Sequence, residues 1–394
     1  FDRYLEILLL PKLILTSSQA HCEASYHMAK TLYTEYNVGA IRLKFTLSRA
    51  TTTEKESIPG IEPLDSEEVV LGLYEGFKKF QSEHPEFEFI LSPCFRKEPE
   101  FYDAKNFPSK KSHFDYQVQS LLALLQQYPE LKKHVSEVDT VGSEKDLYRK
   151  EHFQEMKIGL RKLQSRGLKI RSHHGETWLT LRRGIQSVDN AMNIWHVDAV
   201  EHGLSLGINP NFYFHQIYQS VLAKNQRGEA VDKTSTEYHE LMEFDWNGKD
   251  YIKEKLFNGD PITKAEQTAF VKTKFHTARE LEHYQHDVLN RMIDKELSVI
   301  ALPSSNNKLT GQFEDYKDHP FSWWEKKGVK LGVGTDNYIT LSTNYIREML
   351  ILLFTDPVHL KITKLIMVCT GEKNRPYLSQ HLWTMRKRFL EEES

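Results

Sequence analysis

The sequence predicts an α/β chain folded as a (β/α)8 TIM-type barrel. Three observations carry this: seven short β-branched or apolar runs, amphipathic helical patterns between them, and polar, chemistry-bearing residues where the runs end. The runs occupy residues 40–48, 87–93, 134–140, 168–173, 197–202, 297–303 and 329–336. Strand, helix and strand at this spacing make parallel βαβ units, and seven of them leave one strand of the eight uncounted.

Two of the intervening helices are especially clear. Residues 66–84 repeat apolar positions at helical spacing, and residues 150–167 do the same before closing on Gly167, the residue type that ends a helix most readily. Residues 1–14 also read as a helix, and because the chain opens on Phe1 within that pattern it is expected to be cut from a longer protein. The interval between His202 and Leu297 is far longer than one crossover requires. Its charged, helix-forming composition predicts a helical insertion over 207–296, serving as a lid or an oligomer contact.

Composition excludes several function classes. The chain has 394 residues, 27% of them charged, with a formal net charge of −3, so no global charge argues for nucleic acid or a membrane surface. Cys22, Cys94 and Cys369 are far apart and form no zinc-ribbon or CxxC pattern, which fits a reducing compartment. There is neither a spanning apolar stretch nor a signal-peptide pattern, and the cytoplasm is the expected location.

In a barrel of this type the chemistry sits at the C-terminal strand ends. There the sequence has His173 and Glu176 after one strand, His202 ending the next and Asp336 ending the last. Imidazole and carboxylate converging from different strands suit a divalent metal such as zinc, which lowers the pKa of a bound water to about 7. Glu176, three residues beyond His173, would stand beside that water as a proton donor or acceptor. Singly, each residue has a plainer reading. A histidine at a strand end commonly satisfies a hydrogen bond, and an aspartate there commonly caps the following helix. Histidine, histidine, glycine and glutamate in succession are sharper, because Gly175 permits a tight turn and close approach of a ligand.

The segments HHGE at 173–176, EHG at 201–203, PSSN at 303–306 and GTDN at 334–337, taken in order, resemble the motifs of the metal-dependent adenosine deaminase family, an amidohydrolase barrel group. The resemblance runs from about residue 40 to 336, and VDTVGSE at 138–144 is similar to the family's purine-contacting fourth-strand segment. It implies that His173 and Asp336 hold Zn2+ or another divalent metal. Glu176 would give a proton to N1 of the purine, and His202 would orient and deprotonate the attacking water. Gly142 would meet the purine through its backbone N–H, with Asp139, Gly175 and Asn337 lining the same pocket.

Three departures accompany the resemblance. The family's His-x-His pair, two further metal ligands on its first strand, occurs nowhere in these 394 residues, which places that strand upstream of Phe1 or implies a weakened metal site. Asn337 stands where the family often has a second aspartate. The 207–296 segment is similar to insertions in CRISPR-associated adenosine deaminases, which act on ATP in anti-phage defence. That likeness implies a homo-oligomer and a cyclic oligoadenylate activator bound by an upstream domain. Arg49, Arg96, Lys97, Lys105, Lys110 and Lys111 follow the early strands, where basic groups can hold phosphates. The same residues also read as a solvated loop face. Arg182 and Arg183 carry the same two readings. Three functions therefore stay open: deamination of ATP to ITP, deamination of adenosine or AMP, and an inactive nucleotide-binding scaffold.

Overall fold

The computed structural model describes residues 14–47, 64–313 and 315–355. The helical pattern of residues 1–13, Arg49 and Cys369 lie outside the described residues. Seven strands follow one another: β1 (Ala40–Thr46), β2 (Glu88–Arg96), β3 (Glu137–Val141), β4 (Lys169–His174), β5 (Ala199–His202), β6 (Ser298–Ala301) and β7 (Lys330–Val333). They form one parallel sheet in sequential order, the curled wall of an α/β barrel, with β1 and β7 as its edges among the described residues. Register aligns the strand ends that carry chemistry: His173 lies opposite Glu201, and His174 opposite His202.

Each crossover helix forms for local reasons and buries one face. Helix α1 (Ser18–Tyr36) starts at Ser17, whose hydroxyl accepts from the Ala20 N–H. Helix α2 (Ser66–Glu83) starts in a capping box between Asp65 and Glu68 and buries Val69, Val70, Leu73, Phe77 and Phe80. Helix α3 (Lys110–Gln127) packs on α4 (Lys150–Ser165), where Gly159 lets the Phe114 ring sit against the backbone. After β4 comes α5 (Leu181–Asn190), capped by Thr180.

Between β5 and β6 stand α6 (Pro210–Gln226), α7 (Thr236–Glu243), α8 (Asp250–Asn258) and the 31-residue α9 (Lys264–Asp294). They share an aromatic centre of Phe214, Phe244, Trp246 and Phe270. Gln285 of α9 donates to the carbonyls of Ser205 and Ile208, both at 2.9 Å, so α9 is fastened to the turn after β5 and acts as the crossover into β6. Helix α10 (Phe321–Lys327) precedes β7, and its Trp324 is fully buried while Trp323 packs on His286. No helix among the described residues is long and apolar enough to cross a membrane.

The α1–α2 contact is tight enough to be tested. A Cβ on Gly76 would lie 2.1 Å from the carbonyl oxygen of Cys22 and 2.1 Å from Ser25 Oγ, and the backbone atom cannot turn aside. Gly76→Ala is expected to lower stability by about 1–3 kcal/mol, read as a lower urea midpoint at unchanged m-value.

Candidate functional site

The turn that follows β4 is organised by a carboxylate from the loop after β3. Glu144 accepts three backbone N–H groups, from Gly175 at 2.9 Å, Glu176 at 2.6 Å and Thr177 at 2.9 Å. Burial opposes its charge, but Lys97, His174 and the donated N–H groups outweigh that and hold the carboxyl down at about 2. Gly175 has a φ of +69°, and a Cβ there would meet Ser205 Oγ at 2.6 Å, so glycine suits both the turn and the contact. His174 is fully buried and bonds Ser187 Oγ at 2.7 Å, with Glu144 3.3 Å away. Burial and Lys97 push its imidazole down to about 4.

This turn delivers Glu176 to two partners. The ligand-type atoms of Glu176, His202 and Asp336 all lie within 4.8 Å of one another, a grouping of imidazole and carboxylates at three strand ends. His202 and Asp336 both have left-handed backbones, φ +68° and +54°, uncommon for residues with a Cβ and frequent at functional sites. Asp336 is half-buried and held by Ser305 Oγ at 2.6 Å and by Asn337 Nδ2 at 3.0 Å. His202 is fully buried, with Nε2 3.6 Å from Glu176 Oε1 and Nδ1 3.1 Å from Asn306 Nδ2. Its Nε2 has no hydrogen-bond partner among the described residues. Burial, then the neighbouring Asp336 charge, pushes the Glu176 carboxyl up to about 8. Burial, then His173, pushes the His202 imidazole well below its ordinary range. Near neutral pH the site thus presents a protonated carboxyl and a neutral imidazole side by side.

His173 stands just outside this trio, its ring centroid 5.2 Å from that of His202. Its Nδ1 lies 3.1 Å from Asp139 Oδ1. Asp139 Oδ2 is 2.7 Å from Lys44 Nζ, which also lies 2.8 Å from Glu201, and Arg171 pairs with Glu201 at 2.5 Å. Burial works against the Asp139 charge, and Lys44 and His173 outweigh it, so the carboxyl is held far below its ordinary range. An ionised Asp139 accepts a hydrogen bond from His173 Nδ1–H and leaves Nε2 with its lone pair, the arrangement by which carboxylates orient metal-binding histidines. This nitrogen and the carboxylate of Asp336 are donor types that zinc takes, while the ligand-type atoms that converge within 4.8 Å are those of Glu176, His202 and Asp336.

Of the basic residues read as a phosphate rim, Lys97, Lys110 and Arg96 are engaged in internal contacts. Lys97 is buried and donates to the His173 carbonyl, so it is a strut behind the site rather than an exposed phosphate contact. Lys110 is buried, donating to the carbonyls of Arg96 at 2.6 Å and Phe101 at 2.9 Å, and burial pushes it down to about 8. Arg96 grips Glu98 with two nitrogens and stacks on Phe101. Arg182 and Arg183 pair with Glu280 and Glu243. Lys105 and Lys111 are exposed. These engagements were invisible in sequence because each partner is a carbonyl or a carboxylate fixed only by the fold. Gly142 sits after β3 at φ +106°, its would-be Cβ position filled by the Glu98 carboxylate. The sequence reading also passed over Glu144, Asn306 and His319, the last of which lies 3.3 Å from Asn306 Oδ1. Glu144 and Asn306 fall inside quoted motifs, and that position was their only signal.

No family model matches the sequence, and no curated protein matches it. Solved structures do. An amidohydrolase from Burkholderia ambifaria with bound zinc is 12% identical over 96% of this chain and 76% of its own, with a TM-score of 0.53. This likeness is one of fold, a barrel of parallel strands and helices. Apo N6-methyl-AMP deaminase from Arabidopsis thaliana is similar at 11% identity, covering 98% and 82% with a TM-score of 0.51. Arabidopsis ADAL complexed with GMP matches at 12% identity over 98% and 82%, TM-score 0.50.

Two stability experiments probe the site directly. Glu144→Gln offers one neutral oxygen where three N–H groups met a charge, and is expected to cost about 1.5–3 kcal/mol at pH 7 in chemical unfolding. Because the folded carboxyl lies below its ordinary 4.5, that difference is present above pH 4.5 and fades as pH falls toward about 2. Glu176 has the opposite sign. Its folded pKa is raised, so the native state binds more protons than the unfolded chain between 4.5 and about 8, and stability falls as pH rises through that window. Metal-free Glu176→Gln protein should therefore melt higher than wild type at pH 8, with the gain gone near pH 4.5 in a calorimetric series.

Proposed function

We propose that this chain is a metal-dependent deaminase that hydrolyses the exocyclic amine from the adenine ring of a nucleoside or nucleotide. The observation that carries the reading is a buried carboxyl, Glu176, kept protonated near neutrality while it faces His202 and Asp336 across a few ångströms. A carboxylic acid poised this way can give its proton to a ring nitrogen, drawing electrons from C6 so that water adds there and ammonia leaves. His173, oriented by Asp139, and Asp336 are the residues that would hold the ion. A divalent ion bound by them supplies Lewis acidity and lowers the pKa of a water to about 7. Gly142, with Gly175 and Asn337, would border the base.

Proteins of the same fold support this substrate class: one is an N6-methyl-AMP deaminase, another was solved with GMP, and a third holds zinc. Within the class we favour a nucleoside or monophosphate over ATP, since Arg96, Lys97 and Lys110 are engaged in internal contacts. The lack of any His-x-His pair favours one second reading, a nucleotide-binding scaffold without turnover.

Zinc-loaded protein incubated with an equimolar mixture of adenosine, AMP, N6-methyl-AMP and ATP, followed by mass spectrometry, is expected to deaminate adenosine or a monophosphate. Glu176→Gln should lose about 10²–10⁴-fold in rate. Selective conversion of ATP would restore the triphosphate reading. Binding without conversion, in protein that retains no zinc after dialysis, would leave only the scaffold.

A further inference from the structure

The two nitrogens of a neutral imidazole are inequivalent, and what each one faces decides which carries the proton. Behind His202 runs a buried chain that ends on an unambiguous donor. The backbone N–H of Phe321 meets His319 Nδ1 at 3.2 Å, so that nitrogen accepts. His319 is buried, and burial pushes it down to about 3, which keeps the ring neutral. Its one proton is therefore on Nε2, donated to Asn306 Oδ1 3.3 Å away. With its oxygen engaged there, Asn306 directs its Nδ2 at His202 Nδ1, 3.1 Å away. Turning the amide over would make His319 accept at both nitrogens, which a neutral imidazole with one N–H cannot do. Asn306 is itself fully buried, so no solvent substitutes for either partner.

We propose that the Phe321, His319 and Asn306 chain locks His202 as the tautomer protonated on Nε2, making it a hydrogen-bond donor into the site and neither a metal ligand nor a base at that nitrogen. A protonated nitrogen has no lone pair to offer an ion or a proton. The buried Nε2, without a hydrogen-bond partner among the described residues and 3.6 Å from Glu176, is a donor aimed at whatever enters between Glu176 and Asp336. That the acceptor is the oxygen adding to a purine rests on the deaminase reading; the tautomer does not. Asn306 and His319 are positioning residues, and the base role that the family resemblance implies for His202 is replaced by donation.

The test is long-range 1H–15N correlation spectroscopy on the full chain labelled with 15N-histidine, the His202 signals being assigned by their loss in His202→Gln. The expected pattern is a protonated, pyrrole-type Nε2 and a bare, pyridine-type Nδ1. A bare Nε2 in wild type overturns the proposal, even if the protein is an active deaminase. In Asn306→Asp the new carboxylate accepts from both neighbours, so His202 should switch its proton to Nδ1. Its kcat should fall on the order of 10²-fold at nearly constant KM. A folded Asn306→Asp with an unswitched ring also overturns it. If that variant does not fold, the wild-type spectrum decides alone. A protonated Nε2 in a protein that deaminates none of the four substrates sustains the tautomer and removes only the deaminase reading.

Discussion

Three backbone N–H groups pointing at one buried carboxylate hold the site together. Without Glu144, the turn at residues 175–177 would bury three unpaired donors, each costing about 1–3 kcal/mol. With it, the turn is closed, Gly175 can adopt its positive φ, and Glu176 leaves β4 toward His202 and Asp336. The same carboxylate lies beside His174, so the second of the two adjacent histidines is spent on structure while the first turns toward Asp139.

Charge inside the barrel is distributed unevenly. Lys44, Asp139, Glu201 and Arg171 neutralise one another below the strand ends, and there the carboxyls are held ionised. One level higher, burial and the Asp336 charge drive Glu176 the other way, outweighing the opposing pull of Lys97. Paired charges can persist in a low-dielectric interior, whereas a carboxyl left beside another acid keeps its proton. The contrast between these two levels, more than any single residue, marks where chemistry is to be expected.

The segment between β5 and β6 is tied to the same loop. Glu240 of α7 accepts from the Leu181 N–H at 2.6 Å and from the Tyr213 hydroxyl at 2.7 Å, while Glu243 takes Thr180 Oγ1 and Arg183. Both side chains thus sit at the N-terminus of α5, Glu240 satisfying the Leu181 N–H directly while burial pushes its carboxyl up to about 8. The chain that carries Glu176 is accordingly anchored at its start by Glu144 and at its end by the helices after β5.

The alternation of β-branched runs with helical periodicity is local information, and all seven strands and the helices at 66–84 and 150–167 were legible from it, because burying an apolar face demands a fixed period. Short motifs at strand ends likewise exposed His173, Glu176, His202 and Asp336, since a barrel delivers those positions to one face. Tertiary structure alone decided what each of them meets. Charge in a loop cannot say whether a lysine meets a phosphate or a carbonyl, and Lys97 and Lys110 meet carbonyls. Nor can sequence say which nitrogen of His202 bears its proton, because that depends on Asn306, His319 and a backbone N–H brought together from over a hundred residues away.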